Sequence, residues 1–181
     1  MQAIWHRLLN WLLDWRQHLQ TLAWLVVLVV GVQLWQTHDI PSGQVPDVPL
    51  TLVTPQGQTE TTTLKAYLAH HPGQAVAVHV WAQWCPICSG EEGNVTQLIQ
   101  HAPVLTIAMR SGDAQAVART LTQRQLTWPT AVDEDGHLAQ QFGVTAVPAF
   151  WIIDSQGQLH APSVGYTTAI GMRLRWWLFN R

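Results

Sequence analysis

The stretch Ala75 to Glu92 reads AVAVHVWAQWCPICSGEE and contains both cysteines of the chain, Cys85 and Cys88. Its first half is an apolar run with valine at alternate positions, which is typical of a strand buried on both faces of a parallel sheet. Pro86 suits the first position of a helix, where a backbone N–H is not needed. Cys85 is therefore predicted at a helix N-terminus, where the dipole and free N–H groups favour a thiolate. The pattern indicates a redox site; the alternatives are a structural disulfide or two buried thiols.

Several segments carry a resemblance to a known family. The segment WAQWCPIC, residues 81–88, resembles the active-site segment of the thioredoxin superfamily. Glu91 matches the acidic residue of the CxxCxxE pattern in the membrane-anchored TlpA/ResA/DsbE-like branch of that superfamily. Further matches to this branch are the strand and turn at 128–136, the proline segment at 143–150, and the strand and hairpin at 152–157. Within the branch, the chain resembles the ScsD-like proteins, which are linked to copper tolerance.

This resemblance implies an α/β, thioredoxin-like fold: a mixed sheet flanked by helices, with an added N-terminal β-hairpin. It also implies a protein thiol:disulfide oxidoreductase with Cys85 as the nucleophile and Cys88 as the resolving thiol. By the same resemblance, the Val147–Pro148 peptide bond is expected to be cis and to lie beside Cys85, so that the backbone of Val147 is free to pair with an extended substrate. The expected substrate-binding residues are Trp84, Pro86 and Val147.

Two residues near the cysteines leave alternatives open. Glu91 is either a first-turn helix carboxylate favoured by the dipole or, by the resemblance, a functional acid that disfavours the thiolates by like charge and takes part in proton transfer. The family usually has a proline just after this position, whereas Glu92 and Gly93 stand here. His79 replaces the buried aspartate of thioredoxins. It is either a hydrogen-bonded core histidine or a proton relay for Cys88, because imidazole titrates near neutral pH.

Alternating strand and helix patterns predict a single α/β domain over residues 49–181. The predicted elements are a hairpin (50–53 and 59–62), a helix (63–69), the redox strand, a helix (86–101), a strand (104–109), a helix capped by Ser111 or Asp113, a strand near Thr130, a helix (137–142), a closing hairpin (150–154 and 159–161) and a last helix (168–179). The apolar cluster of the last helix has helical spacing and is expected to pack in the core; its members are Ile170, Leu174, Trp177 and Leu178.

The residues before this domain predict a membrane anchor. Residues 1–20 have the polar stripe of an amphipathic segment at a membrane surface. Residues 19–35 lack charge and reach the lower limit of about 17 residues for a span, and residues 36–48 have the composition of a linker. A cleaved signal peptide is the alternative, but no small-x-small site follows. Because Arg7 and Arg16 precede the span, the N-terminus is expected in the cytoplasm and the domain in the periplasm, on the bacterial inner membrane.

Composition limits the other function classes. The formal charge of −2 and the 11% of charged residues give no basic field, so nucleic acid is not an expected partner. Neither a metal nor a cofactor is predicted, since two cysteines alone supply too few ligands for a zinc site. The expected partners are protein thiols and disulfides, the cytoplasmic membrane and, by the resemblance, a membrane electron donor of the DsbD/CcdA kind. The alternatives are a protein that holds Cu(I) through both thiolates, a protein thiol oxidase, and a non-catalytic interaction module.

The residues between the cysteines predict the direction of electron flow. The most oxidising members of the superfamily resemble one another in having a histidine there, whose N–H groups favour the thiolate, whereas Pro86 and Ile87 offer no such donor. The potential is therefore expected to lie toward the thioredoxin value of about −270 mV and away from the value of about −120 mV of the strongest oxidant. The sequence favours a reductase of selected protein disulfides.

Overall fold

The computed structural model describes residues 15–38, 40 and 43–180, and the chain forms two units, residues 1–36 and 37–181. Helix α1, Trp15–Thr37, makes up the described part of the first unit and ends at the first residue of the second. By length and composition it is able to cross a membrane, a property that a signal sequence shares. The predicted span at 19–35 lies within this helix. Most of the predicted amphipathic segment, residues 1–14, lies outside the described residues.

The second unit is built on one sheet of eight described strands, in the order β1-β8-β7-β4-β5-β6-β2-β3. The pairs β4–β5 and β5–β6 are parallel, and the other neighbours are antiparallel. The mixed sheet and the N-terminal hairpin β2–β3 confirm the prediction. The strands are β1 Gly43–Gln44, β2 Pro49–Val53, β3 Thr59–Thr63, β4 Val76–Trp81, β5 Val104–Met109, β6 Thr130–Asp133, β7 Ala149–Ile153 and β8 Gln158–Val164.

Among the residues that the structure describes, five helices flank the sheet: α2 Leu64–Ala69, α3 Pro86–Ile99, α4 Ala114–Gln123, α5 His137–Gln141 and α6 Ala169–Phe179. Oxygen-bearing side chains cap three of them, because an oxygen at the N-cap accepts a hydrogen bond from a backbone N–H that has no helical partner. The capping residues are Thr63, Asp113 and Thr168. Of the two caps considered for α4, Asp113 is therefore the one used.

Helices on both faces explain why β4 and β5 are buried along their whole length. Residues of α3, α4 and α6 join one hydrophobic cluster with the sheet, and residues of α2 and α5 join the other. Tyr67 of α2 lies in the second cluster, where its hydroxyl donates a hydrogen bond to the Val104 carbonyl at 3.1 Å. Burial raises the pKa of Tyr67 to about 12.

The closing hairpin β7–β8 turns at Asp154, whose carboxylate accepts backbone N–H bonds from Gln156 and Gln158 and contacts the His160 ring at 2.7 Å. Burial acts to raise the pKa of Asp154, but the N–H of Gln158, the His160 contact and the N–H of Gln156 together outweigh it and hold this pKa below its ordinary value. The turn is thus fixed by a charged carboxylate.

The segment expected to be a linker, residues 36–48, differs from that expectation. Gly43 and Gln44 form β1 and pair with β8, and the side chains of Ile40 and Val48 are buried in the domain core. A two-residue strand has no periodicity that a sequence pattern could reveal, and its position depends on the edge of β8 being open to it. The ordered domain therefore begins before residue 49.

The prediction that the apolar cluster of the last helix packs in the core is wrong. Ile170, Leu174, Trp177 and Leu178 are 80%, 53%, 60% and 43% exposed. Met172 is buried instead, and Trp176 and Phe179 pack against the core. Because α6 is apolar on more than one side, its spacing identified a helix but not the side that faces inward.

Candidate redox site

Cys85 lies where β4 gives way to α3. It is the N-cap of this helix, and Pro86 is the first helical residue. The Sγ atom of Cys85 accepts a hydrogen bond from the backbone N–H of Cys88 at 3.2 Å. The two cysteines form a disulfide with their Cα atoms 5.3 Å apart. When the disulfide is reduced, an N–H directed at this sulfur favours the thiolate of Cys85 over the thiol.

The loop before β7 faces Cys85. The Val147–Pro148 peptide bond is cis, which confirms that prediction. The carbonyl oxygen of Val147 lies 3.7 Å from Cys85 Sγ, although the two residues are 62 positions apart. A disulfide sulfur has no hydrogen to donate, so this is a contact in the oxidised form and a site for the S–H of the reduced form. The structure thus brings three of the expected site residues together.

The surface beside the disulfide is apolar and open to solvent. Trp84 and Ile87 are more than half exposed, and Pro86 is exposed between them, whereas Cys85 itself is only 5% exposed. The indole N–H of Trp84 donates to the Arg110 carbonyl at 2.9 Å, which holds the ring in place. An apolar platform around a slightly accessible sulfur is suited to contact with another protein chain.

Glu91 and His79 form a buried pair. The Nε2 atom of His79, on β4, lies 3.1 Å from Glu91 Oε2, and both side chains are at most 1% exposed. The other carboxylate oxygen accepts a hydrogen bond from the backbone N–H of Thr167, in the loop before α6. Glu91 is therefore not an exposed first-turn carboxylate. His79 Nδ1 has no hydrogen-bond partner among the described residues, and the ring meets Trp128 edge-on at 6.0 Å.

The turn before the cysteines is fixed by contacts from the end of α4 and from the loop after β5, which the sequence patterns did not indicate. Arg124, the C-cap of α4, donates to the Gln83 carbonyl at 2.7 Å, to Glu92 at 2.7 Å and to Ser89 at 3.0 Å. Ser111 accepts a hydrogen bond from the backbone N–H of Gln83 at 3.0 Å. These partners are 28 to 41 residues apart, so no local motif could have identified them.

The chain matches a known protein family. The model of the AhpC/TSA family matches residues 41–161, which is more than half of the chain. The chain belongs to the AhpC/TSA family. No group of three or more histidine, cysteine or acidic side chains placed to hold a metal ion occurs in the part of this family member that the structure describes.

Curated relatives of this AhpC/TSA member have thiol chemistry in their names. A thiol:disulfide interchange protein DsbE homolog of Paracoccus denitrificans is 32% identical over 82 residues, which cover 45% of this chain and 46% of the relative. The thiol:disulfide interchange protein DsbE of Allochromatium vinosum is 29% identical over 150 residues, or 80% of this chain and 79% of the relative. The chain spans 46%, 63% and 52% of the length of three of the curated relatives it matches.

Solved structures show the fold. The exposed lipoprotein thioredoxin of Streptococcus pneumoniae is 21% identical, with a TM-score of 0.57 over 72% of this chain and 99% of that one. A secreted thiol-disulfide isomerase of Corynebacterium glutamicum is 18% identical, with a TM-score of 0.64 over 76% of this chain and 85% of that one. At these identities the likeness concerns the fold, and it confirms the thioredoxin-like prediction.

Proposed function

We propose that this protein is a protein thiol:disulfide oxidoreductase that acts through Cys85 and Cys88. The observation that carries the proposal is the position of Cys85 Sγ, at a helix N-terminus and 3.7 Å from the carbonyl oxygen that precedes cis Pro148. Relatives named thiol:disulfide interchange proteins support the same activity. The proposed substrate-binding residues are Trp84, Pro86 and Val147.

The proposed reaction starts from the reduced pair. The Cys85 thiolate attacks one sulfur of a substrate disulfide, and the other substrate sulfur leaves as a thiolate and takes up a proton. Cys88 then gives up its proton and attacks Cys85 Sγ, so that the second substrate sulfur is released and the Cys85–Cys88 disulfide forms. Two electrons pass to the substrate, and a separate donor must restore the dithiol.

Glu91 and His79 are proposed to handle the proton of Cys88. Glu91 follows Cys88 by three residues, one helical turn, and its carboxylate is held by Thr167 and His79 in a site closed to water. Because residues one helical turn apart lie on the same side of a helix, this pair is proposed to receive the proton that leaves Cys88 during the resolving step. Replacing either residue with a neutral isostere, such as Glu91→Gln, should therefore change the pH dependence of Cys85 alkylation while the fold remains intact.

The proposed direction and location follow the sequence argument. Ile87 is exposed and carries no donor, so between the cysteines no side chain stabilises the thiolate, which favours a reductase. Helix α1 supports a tether to the bacterial inner membrane with the domain in the periplasm. The proposal also includes a membrane electron donor of the DsbD/CcdA kind. It assigns the chain to the TlpA/ResA/DsbE-like branch and, within it, to the ScsD-like proteins.

The test is the equilibrium of the purified full chain with glutathione, together with its reduction of a model protein disulfide. A potential near about −270 mV supports the reductase, and one near about −120 mV refutes the direction but not the activity. The variants Cys85→Ala and Cys88→Ala are the matched controls, and both should lose turnover. Stoichiometric Cu(I) binding by a reduced chain that turns over no disulfide would refute the oxidoreductase and favour copper handling.

A further inference from the structure

The turn that leads into Cys85 is held by three contacts to one residue, Gln83. Its backbone N–H donates to Ser111 Oγ at 3.0 Å, and its side-chain oxygen accepts from the Thr120 hydroxyl at 2.9 Å. Its carbonyl oxygen accepts from Arg124 Nη2 at 2.7 Å. The guanidinium of Arg124 is the charged group among these three contacts, so it brings a positive charge to the turn that precedes Cys85.

Arg124 also reaches the helix that begins after Cys85. Its Nη1 atom donates to Ser89 Oγ at 3.0 Å and to Glu92 Oε1 at 2.7 Å. The same guanidinium thus bridges a residue two positions before Cys85 and residues four and seven positions after it. The side chains of Arg124 and Glu92 are 28% and 23% exposed, so water and salt screen this ion pair only in part.

Helix α3 sets the order of the two charges relative to Cys85. The spacing of residues 85, 89 and 92 places their side chains on one side of the helix. Residues four apart have Cβ atoms about 5–6 Å apart, so a guanidinium that contacts Ser89 lies roughly 8 Å from the Cys85 side chain. At a rise of about 1.5 Å per residue, the backbone of Glu92 lies about 4.5 Å beyond that of Ser89. The positive end of the pair therefore lies toward Cys85 and the negative end away from it.

The elements around the redox turn carry further ionisable groups, whose contacts differ from those of Arg124. They are Cys88, His79, Glu91, Arg110, Asp113 and Tyr166. Glu91 and His79 contact one another in a closed site, and Arg110 Nε donates to a carbonyl in the turn before α5. Residues 144–148, in the loop that faces Cys85, include no ionisable side chain. In the described part of the chain, Arg124 is the cation that donates hydrogen bonds on both sides of Cys85.

We propose that the ion pair of Arg124 and Glu92 sets the ionisation of the Cys85 thiol. When the thiol gives its proton to water, the Arg124 cation stabilises the thiolate, and Glu92 opposes it from a greater distance. The net effect adds to that of the helix N-terminus. A unit charge about 8 Å away near a protein surface changes an ionisation constant by about two- to fivefold.

The consequence for catalysis rests on the proposed function. The thiolate is the form of Cys85 that attacks a substrate disulfide, so a pair that sets the thiolate fraction also sets the rate of that attack. Arg124 does not touch the reacting sulfur atoms in this scheme, and it acts on Cys85 as a positioning residue. The ionisation of the thiol is measurable without any substrate disulfide.

The test is the pH profile of Cys85 alkylation in the full chain, purified in detergent with Cys88→Ala so that one thiol titrates. The thiolate displaces iodide from iodoacetamide, and the rate follows the thiolate fraction. Arg124→Gln should move the midpoint of this profile to higher pH, by about two- to fivefold in the ionisation constant at low salt. Glu92→Gln should move the midpoint to lower pH by a smaller amount. Both substitutions remove the same ion pair, so a purely structural role would move both midpoints in the same direction.

Two controls accompany these variants. Arg124→Lys keeps the charge and should return the midpoint toward the wild-type value. Arg119→Gln removes the same charge from an exposed position of α4 and should leave the midpoint unchanged. Midpoints that move in the same direction in Arg124→Gln and Glu92→Gln, or that move in neither, would overturn the proposal. Reduction of a model protein disulfide by the chain with both cysteines reports separately on the proposed function, and its absence would refute that function while the alkylation result stands.

Discussion

Glu91→Ala is the substitution whose effect on stability the structure predicts most sharply. The carboxylate is 1% exposed and is hydrogen-bonded to the Thr167 N–H and to the ring of His79. Its removal leaves both groups in a closed site without a partner. Each buried unsatisfied group costs about 1–3 kcal/mol, and two such groups are left. We therefore expect the free energy of unfolding to fall by about 2–6 kcal/mol.

Glu91→Gln should have a smaller effect. The amide oxygen still accepts from Thr167, and the amide N–H groups donate to His79 Nε2. The ring must then carry its proton on Nδ1, the atom that has no hydrogen-bond partner among the described residues. The charge-assisted part of two hydrogen bonds is lost, so the expected cost is about 1–2 kcal/mol.

Urea unfolding of the full chain in detergent, followed by near-ultraviolet circular dichroism, measures both effects. With a slope of about 2 kcal/mol per M, the midpoint should fall by about 2 M for Glu91→Ala and by less than about 1 M for Glu91→Gln. The matched control is Glu92→Ala at the adjacent position, where a partly exposed carboxylate pairs with Arg124 at 2.7 Å; its cost should stay below about 1 kcal/mol. A loss for Glu91→Ala no larger than that for Glu92→Ala would refute the buried pair.

Three further predictions concern other parts of the domain. Cys88→Ala should accumulate mixed disulfides with substrate proteins on non-reducing gels, while Cys85→Ala should accumulate none, because the resolving thiol is removed only in the first variant. Tyr67→Phe should lower the stability by about 1 kcal/mol at neutral pH. Since the folded pKa of Tyr67 is raised to about 12, the wild type should also lose stability between about pH 10 and pH 12, and the variant should lack that loss in pH-dependent unfolding. Asp154→Asn should be less stable than the wild type at pH 7. Thermal unfolding should show this difference in stability closing as the pH falls below about 4, because a carboxyl with a lowered folded pKa stabilises the fold only while it is charged. A difference in stability that stays constant with pH would contradict this account.

Local signals were sufficient for most of the fold. Apolar runs placed β4 and β5, a proline after Cys85 placed the start of α3, and the helices predicted at 63–69 and 168–179 begin within one residue of α2 and α6. These features succeed because each depends on neighbours within one turn or one strand. The cis bond at Pro148 was also predicted, but from a resemblance to a family and not from a local rule.

The tertiary structure alone decided the contacts that complete the site. Glu91 and His79 were each recognised in the sequence, yet neither residue type indicates that the two would meet or that Thr167, 76 positions after Glu91, would donate to the same carboxylate. The Arg124 contacts to the turn before the cysteines arise in the same way. Such pairs form where separate elements pack together, and a linear pattern contains no information on the distance between residues of different elements.

Burial is the second property that the sequence left open. Helix α6 carries apolar side chains on more than one side, so periodicity predicted the helix correctly and its buried face incorrectly. The two-residue strand β1 likewise exists because β8 offers it an open edge. The sequence by itself determined the redox segment and the order of the elements. Only the folded chain decided which apolar residues are buried in the core and which are exposed at the surface. The physical reason is that burial depends on the neighbours of a whole surface, and those neighbours come from distant parts of the chain.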